Sequence, residues 1–524
     1  MDDRTLRFRI LATSDLHGHI LPVDYATGVP AMTGLATLAR KIRGLKDDHS
    51  VLIDLGDALQ GSPLMSFHEA NRKHYPNPLA QVMNYLDYDY FVPGNHDFNF
   101  GKDYLFAFQD ALTAKTLCAN ILHADQQQPI GSEYEVVQLS GGPKIAIIGI
   151  TTHYIPVWER KRNIAGLSFL DAFSETKRLV AELRSREQPD LLVVAYHGGF
   201  ERDLDTFAPY IDDTGENQGA KMLQEIPGID ILLTSHQHRL IARKVNDTMV
   251  VQSGANGNWF AQIDCHFQRI DLRWQLEDIT AELHDAKNET PDTNITEMLA
   301  KIALATEVFL DEPIGTVPKD DMRITDGFLA RLQKHKIITL INKVQMEKTK
   351  AMISAASLGN SVTGFSRVIT TRNVMSTYVF PNTLVVVEID GKRLKQALEK
   401  NAEYFVVVDG KLESNPRFSF PKVEHYNYDM FDGIEYTIDA SRAFGDRIIR
   451  LNYQGKVVQD EDIFTLALNN YRASGGGEFS MYRGLKVVKE INMDIAELLT
   501  EYIRKNKRII VKDPHNIKVI GGRM

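Results

Sequence analysis

The chain has 524 residues, 43% of them hydrophobic and 25% charged, with a formal net charge of −9. That length exceeds what one hydrophobic core usually supports and predicts two domains, and the composition is that of an ordinary soluble globular protein. The acidic balance argues against a nucleic-acid polymer or an anionic membrane as the main partner. No run approaches the roughly 20 apolar residues needed to span a bilayer, and two cysteines, Cys118 and Cys265, make no disulfide framework.

The opening "MDDRTLRFRILATSD" has no basic n-region, apolar h-region or small-residue cleavage site. A reducing cytoplasm is therefore the expected compartment, although a periplasmic or extracellular protein trimmed of its leader would read the same. From here one theme repeats: a short apolar run, a polar punctuation, then a helical pattern. The runs are "RFRILATSD", "SVLIDLGD", "DYFVPGNHD", "KIAIIGITT", "DLLVVAYHGG", "IDILLTSHQH" and "TMVVQSGANG". Strands alternating with helices at this spacing predict an α/β domain over residues 1–290. "TPDTNITEMLAKIALATEVFL" then reads as a helix that stops before the breaker Pro313, so residues 291–325 are expected to link two domains. The remainder, 326–524, mixes a helix ("GKRLKQALEKNAEYF") with strand-like runs ("NTLVVVEID", "GIEYTIDA", "DIFTLALNNY") and predicts a smaller α+β domain.

Ligands gather at the carboxyl ends of strands in open α/β sheets, and here the polar residues stand where the apolar runs end. "SDLHG", "GDALQG", "GNHD", "YHGG" and "SHQH" offer Asp15, His17, Asp57, Asn95, His197, His236 and His238 in order. Asp-x-His alone decides nothing, since it recurs at Asp47/His49, Asp264/His266 and Asp513/His515; the strand context separates the first copy. Carboxylate, imidazole and amide oxygen suit Mn, Zn, Fe or Co, and no thiolate favours a softer metal. The set exceeds the three or so protein ligands of one catalytic ion and matches two ions sharing a carboxylate. His19, His49, His68, His74, His123 and His153 fall outside these blocks and are expected to be solvated or packed.

The ordered set resembles the calcineurin-like metallophosphoesterases over about residues 5–270. That resemblance implies a four-layer αββα sandwich, two divalent ions, and Asp57 as the bridging ligand. Asp15, His17 and His238 would complete one metal site, and Asn95, His197 and His236 the other. His96 would face the substrate as general acid or stabiliser of phosphoryl charge. Asp97 would either orient His96 or cap a turn.

In the second half, the blocks around "GNSVTGFSRVITTRNVMSTYVFPNTLVVVEID", "HYNYDMFDGIEYTID" and "NNYRASGGGEFSMY" are similar to the C-terminal domain of the 5'-nucleotidase family. The likeness leans toward its 2',3'-cyclic-nucleotide 2'-phosphodiesterase/3'-nucleotidase branch. Asn99 points the same way, standing where 5'-nucleotidases typically carry aspartate. The resemblance implies two aromatic rings on the nucleobase: Tyr471 and Tyr426 match best, with Tyr428 the rival for the second place. Arg367 and Arg372 lie where phosphate-gripping arginines are expected, but the local pattern departs from the family's and neither is assigned. The expected activity is hydrolysis of a 2',3'-cyclic nucleotide and of the resulting 3'-nucleotide. The alternatives are a 5'-nucleotidase or nucleotide-sugar hydrolase, and a nucleotide-binding sensor without turnover.

Overall fold

The computed structural model describes residues 4–522 apart from 26, 209–213, 272, 319–321, 381 and 421. The chain divides into two compact units, Met1–Thr306 and Glu307–Met524.

The first unit is built on two six-stranded sheets. One contains β1 (Thr5–Thr13), β2 (Ser50–Asp54), β3 (Tyr90–Phe91), β4 (Lys115–Thr116), β11 (Trp259–Ile270) and β12 (Arg273–Asp285), in the order β12-β11-β1-β2-β3-β4. The other contains β5 (Tyr134–Gln138), β6 (Lys144–Thr151), β7 (Leu191–His197), β8 (Ile231–Thr234), β9 (Leu240–Val245) and β10 (Thr248–Ser253), in the order β9-β10-β8-β7-β6-β5. The strands β1, β2 and β3 run parallel, as do β6, β7 and β8.

Alternate side chains explain why these runs are apolar throughout. Ile10 and Ala12 of β1, Val51 and Ile53 of β2, Ile145 and Ile147 of β6 and Val193 and Ala195 of β7 meet in one core between the sheets. The residues between them, Ala146, Ile148, Leu192 and Val194, face the other way onto Leu179, Val180 and Leu183 of the helix Ala172–Arg186. On the first sheet, Phe108 of the helix Lys102–Ala111 meets Phe91 edge-on at 5.3 Å. Parallel strands covered on both faces read as unbroken hydrophobic runs, and each fully buried aliphatic side chain contributes about 1.5–3 kcal/mol. Helices outside two stacked sheets give the four-layer αββα sandwich.

Two elements differ from their sequence patterns. The run "DYFVP" yields only the two-residue β3, because Pro93 has no N–H to continue the ladder. The helix expected over 290–310 is two helices, Thr293–Met298 and Ala300–Asp311. The Thr296 hydroxyl donates to the Thr293 carbonyl, and the break at Leu299 seats that side chain and Ile295 in the interior.

The second unit centres on a five-stranded sheet in the order Asp429–Asp432, Ile353–Ser357, Ile463–Asn469, Thr383–Asp390, Val487–Asp494, with the helix Lys336–Thr349 in its core. The helix Gly391–Ala402 starts where Asp390 accepts the N–H of Arg393 at 2.7 Å. Among the described residues no helix is long and apolar enough to cross a membrane.

Candidate active site

Each candidate residue sits at or just past the carboxyl end of a strand: Asp15 after β1, Asp57 after β2, Asn95 and His96 after β3, His197 at the end of β7, His236 and His238 after β8. The turns are tight enough to force unusual backbone. Asp15, His17, Asp57, His236 and His238 have φ of +50°, +47°, +53°, +68° and +58°. An L-residue in the left-handed region costs about 1–2 kcal/mol, so the surroundings must impose it.

They do so by backbone pairing. Asp15, His17 and Gly18 donate to the carbonyls of Gly56, Asp57 and Ala58, each at 2.8 Å, which zips the first turn to the second. The second turn is stapled to the third by Asp97, whose buried carboxylate accepts N–H bonds from Gly94 (2.7 Å), Asp57 (3.0 Å), Ala58 (2.9 Å) and Leu59 (2.8 Å). Asp97 is thus a turn organiser; His96 takes its partner elsewhere. Burial, with the nearby Asp57 charge, pushes the Asp97 carboxyl up to about 6. A side chain at Gly94 would strike the Asp57 N and Oδ1 at 2.3 Å, which is why only glycine fits between the two turns.

The side chains converge in two groups. The ligand atoms of Asp15, His17 and His238 lie within 4.8 Å of one another, and so do those of Asp57, His197 and His236. Asn95 joins the second group, its Oδ1 3.1 Å from His197 Nε2. Asp57 acts on both, since its charge also favours protonation of His17.

The ring nitrogens are oriented from outside. His17 Nδ1 donates to the Gln60 carbonyl at 2.8 Å and His197 Nδ1 to the Leu55 carbonyl at 2.6 Å, so both turn Nε2 inward. His236 is reversed: its Nε2 lies 2.9 Å from Glu216 Oε1, which leaves Nδ1 for the site, and the Trp158 ring stacks on it at 5.6 Å. Partners on the far nitrogen are what metal-ligating histidines require.

With the rings in the neutral form that a metal ligand needs, the inward atoms are acceptors facing acceptors. His17 Nε2 is 3.1 Å from His238 Nε2, and His197 Nε2 faces both Asn95 Oδ1 and, at 3.4 Å, Asp57 Oδ2. In the protein alone the fields divide. Burial and the neighbouring His238 push His17 down to about 3, whereas on His197 burial is outweighed by the Asp57 carboxylate, which lifts it to about 9. Asp57 itself is held well below the carboxylate range, burial being overcome by His197 and His96. Hard and borderline oxygen and nitrogen donors, outwardly fixed and inwardly unmatched, fit a divalent cation in each group.

His96 stands beside them, its ring 5.3 Å from that of His17 and its N–H donating to Asp57 Oδ1 at 2.6 Å. Its Nδ1 meets Asn99 Oδ1 at 2.7 Å. Sequence reasoning missed Glu216, Trp158 and Glu159. Glu159 contacts Asn99 across sixty positions of chain, so no local motif announces it.

In the second unit Tyr426 and Tyr471 are half-exposed, and Tyr426 meets Phe380 edge-on at 5.8 Å. Tyr428 is fully buried and stacked on Tyr404 at 4.9 Å, a core residue rather than a candidate for a base. A side chain at Gly476 would strike the Tyr471 ring at 2.6 Å, so the glycine run gives that ring its place. Arg472, which the motif did not single out, ties the two tyrosine segments together. Its guanidinium pairs with Asp429 at 2.8 Å and also donates to the carbonyls of Tyr426 and Gly476. Arg372 is buried and held by Glu307 and Asp311, whereas Arg367 is exposed.

Residues 8–240 match the calcineurin-like phosphoesterase family and residues 313–484 the C-terminal domain of 5'-nucleotidases. A 2',3'-cyclic-nucleotide 2'-phosphodiesterase/3'-nucleotidase of Salmonella typhimurium is 29% identical, over 90% of this chain and 82% of that protein. A putative 5'-nucleotidase of Staphylococcus aureus, solved as a complex with alpha-ketoglutarate, is 33% identical with a TM-score of 0.89, over 98% of this chain and 100% of that one. A 5'-nucleotidase precursor from Thermus thermophilus shares the fold at 20% identity and a TM-score of 0.67, over 98% of this chain and 99% of that one. The chain belongs to the calcineurin-like metallophosphoesterases that carry a 5'-nucleotidase C-terminal domain, and it is a hydrolase of phosphoric esters.

Proposed function

We propose that the protein is a dimetal nucleotide phosphohydrolase that opens 2',3'-cyclic nucleotides and removes the phosphate of the resulting 3'-nucleotides. The observation that carries the reading is the convergence of Asp15, His17, Asp57, Asn95, His197, His236 and His238 in two adjoining acceptor groups with His96 beside them. Asp15, His17, Asp57 and His238 would hold one ion, and Asp57, Asn95, His197 and His236 the other. When bound, such a pair supplies Lewis acidity against phosphoryl oxygens and acidifies water at neutral pH.

The chain's own residues do the rest. The leaving alkoxide of a nucleoside needs a proton, and His96, hydrogen-bonded through Nδ1, presents Nε2 as its carrier. Asp57 fixes the His96 backbone by accepting its main-chain N–H, and Asn95, the residue before it, turns its Oδ1 toward His197 in the second group. Tyr426 and Tyr471 recognise the base by stacking, a mode tolerant of base identity. The relatives named as cyclic phosphodiesterases favour the cyclic and 3'-substrates; the Staphylococcus aureus protein favours a 5'-nucleotidase as the second reading.

The experiment is a panel of 2',3'-cyclic AMP, 3'-AMP and 5'-AMP assayed side by side, before and after chelation. The first two should be hydrolysed efficiently, with chelation abolishing turnover. Dominant cleavage of 5'-AMP would replace the reading by the second one.

A further inference from the structure

We infer that Glu159 sets the tautomer of His96 by fixing which way the Asn99 amide points. The inference rests on the reading of His96 as proton donor and adds to it a residue that nothing in the motif predicts. An asparagine amide has one accepting and one donating end. If its oxygen faces His96, Nδ1 carries a proton and Nε2 is the exchanging atom; if its nitrogen faces His96, the assignment inverts. An aspartate at this position would need no such decision, because both its oxygens accept.

The decision is made on the far side of Asn99. Its Nδ2 lies 2.5 Å from Glu159 Oε2. The other carboxylate oxygen, Oε1, accepts the main-chain N–H of Arg160 at 2.6 Å and the Asn163 amide at 2.9 Å. Asn163 is itself anchored, for its Nδ2 also donates to the main-chain carbonyl of Asn99 at 3.0 Å. Main-chain groups cannot turn over, so polarity passes outward from them. The Asn99 carbonyl fixes Asn163 as donor, and Arg160 N–H and Asn163 both donate to Glu159, favouring its ionised form against the burial that raises its pKa. The ionised carboxylate accepts at both oxygens and draws the Asn99 amino group, and the Asn99 oxygen is left for His96 Nδ1 at 2.7 Å. The negative charge thus stands one side chain further from the imidazole than an aspartate would place it. The support is anchored at the site as well, because Trp158, next to Glu159 in the chain, stacks on His236 with its ring tilted by 22°.

Glu159 is a positioning residue, and its test needs more than a rate. In metal-loaded protein labelled with ¹⁵N in the histidine rings, the His96 signals, located by their loss in His96→Ala, should report a protonated Nδ1. Glu159→Ala should redistribute that tautomer with both metals retained. It should lower kcat on the best nucleotide of the panel roughly 10-fold or more, with KM and the turnover of nitrophenyl phosphate little changed. Asn99→Asp alone places two carboxylates together and should also lose activity. The double variant Asn99→Asp/Glu159→Gln restores a complementary chain with the middle hydrogen bond reversed, and should recover tautomer and kcat together. An unchanged His96 tautomer in Glu159→Ala, or a double variant no better than either single one, would overturn the assignment. The proton-donor reading fails separately, if His96→Ala costs the same on nucleotide and on nitrophenyl phosphate.

Discussion

His96 and Asp57 differ in what their removal should take away. His96→Ala should keep its metals and lose roughly 10²–10⁴-fold in nucleotide turnover, the scale of general acid–base assistance. Nitrophenolate departs without a proton, so nitrophenyl phosphate should lose much less, and paired kcat measurements decide the matter. Asp57→Ala should abolish binding of both ions, since Asp57 sits in one acceptor group and its field reaches the other. His238→Ala should weaken one site only. Metal analysis after dialysis checks both, and two ions retained per chain in Asp57→Ala would remove Asp57 as the bridge. At this scale much was legible, because the side chains that converge are those the strand-end motifs offered. Tyr428 was harder, as an aromatic in a strand-rich block reads alike whether it faces a ligand or, as here, lies under Tyr404.

Elements explain both the success and the gaps. Apolar runs of parallel strands are unmistakable when both faces are covered, and the polar residue that ends each run is therefore placed by the sheet itself. What the runs do not carry is the cross-talk between turns. The Asp97 staple, the Gly94 close approach and the Glu159 link join segments up to sixty residues apart, and none has a local signature. The helix Pro63–Asn71 offers a check on a histidine outside the site. His68 is 3% exposed, its Nδ1 2.6 Å from the Tyr104 hydroxyl and its Nε2 3.2 Å from the Tyr75 carbonyl. Burial lowers its pKa below the usual 6.5. The unfolded chain therefore binds a proton there that the folded chain refuses, and stability should fall as pH drops below the unfolded value. The slope from this one group is at most about 1.4 kcal/mol per pH unit. Thermal melts at pH 7.5 and 5.5 should show a smaller pH difference in His68→Gln than in the wild type; an equal difference would exclude His68 as the source.

At the scale of the whole molecule the chemistry is divided. Every candidate metal ligand lies in the unit Met1–Thr306, and both candidate base-stacking tyrosines lie in Glu307–Met524. If the two units serve one reaction, Tyr471→Ala should weaken nucleotide binding by about 1–3 kcal/mol. It should leave bis-nitrophenyl phosphate, which has no base, nearly untouched, and equal KM changes on both substrates would separate Tyr471 from base recognition. The left-handed turns under the candidate metal ligands also bear on how this protein can be stabilised. Where φ is positive, as at His238, glycine relieves a penalty that alanine keeps, so His238→Gly should melt above His238→Ala by an amount near 1 kcal/mol. At Asn95, with φ of −70°, the order should reverse, because glycine there only loosens the unfolded chain. In metal-free protein the residue that the turn's backbone favours at His238 is thus not the one a cation needs. Only metal held by the native side chain would offset that penalty, so heat resistance should depend on metal more strongly in the native protein than in His238→Gly.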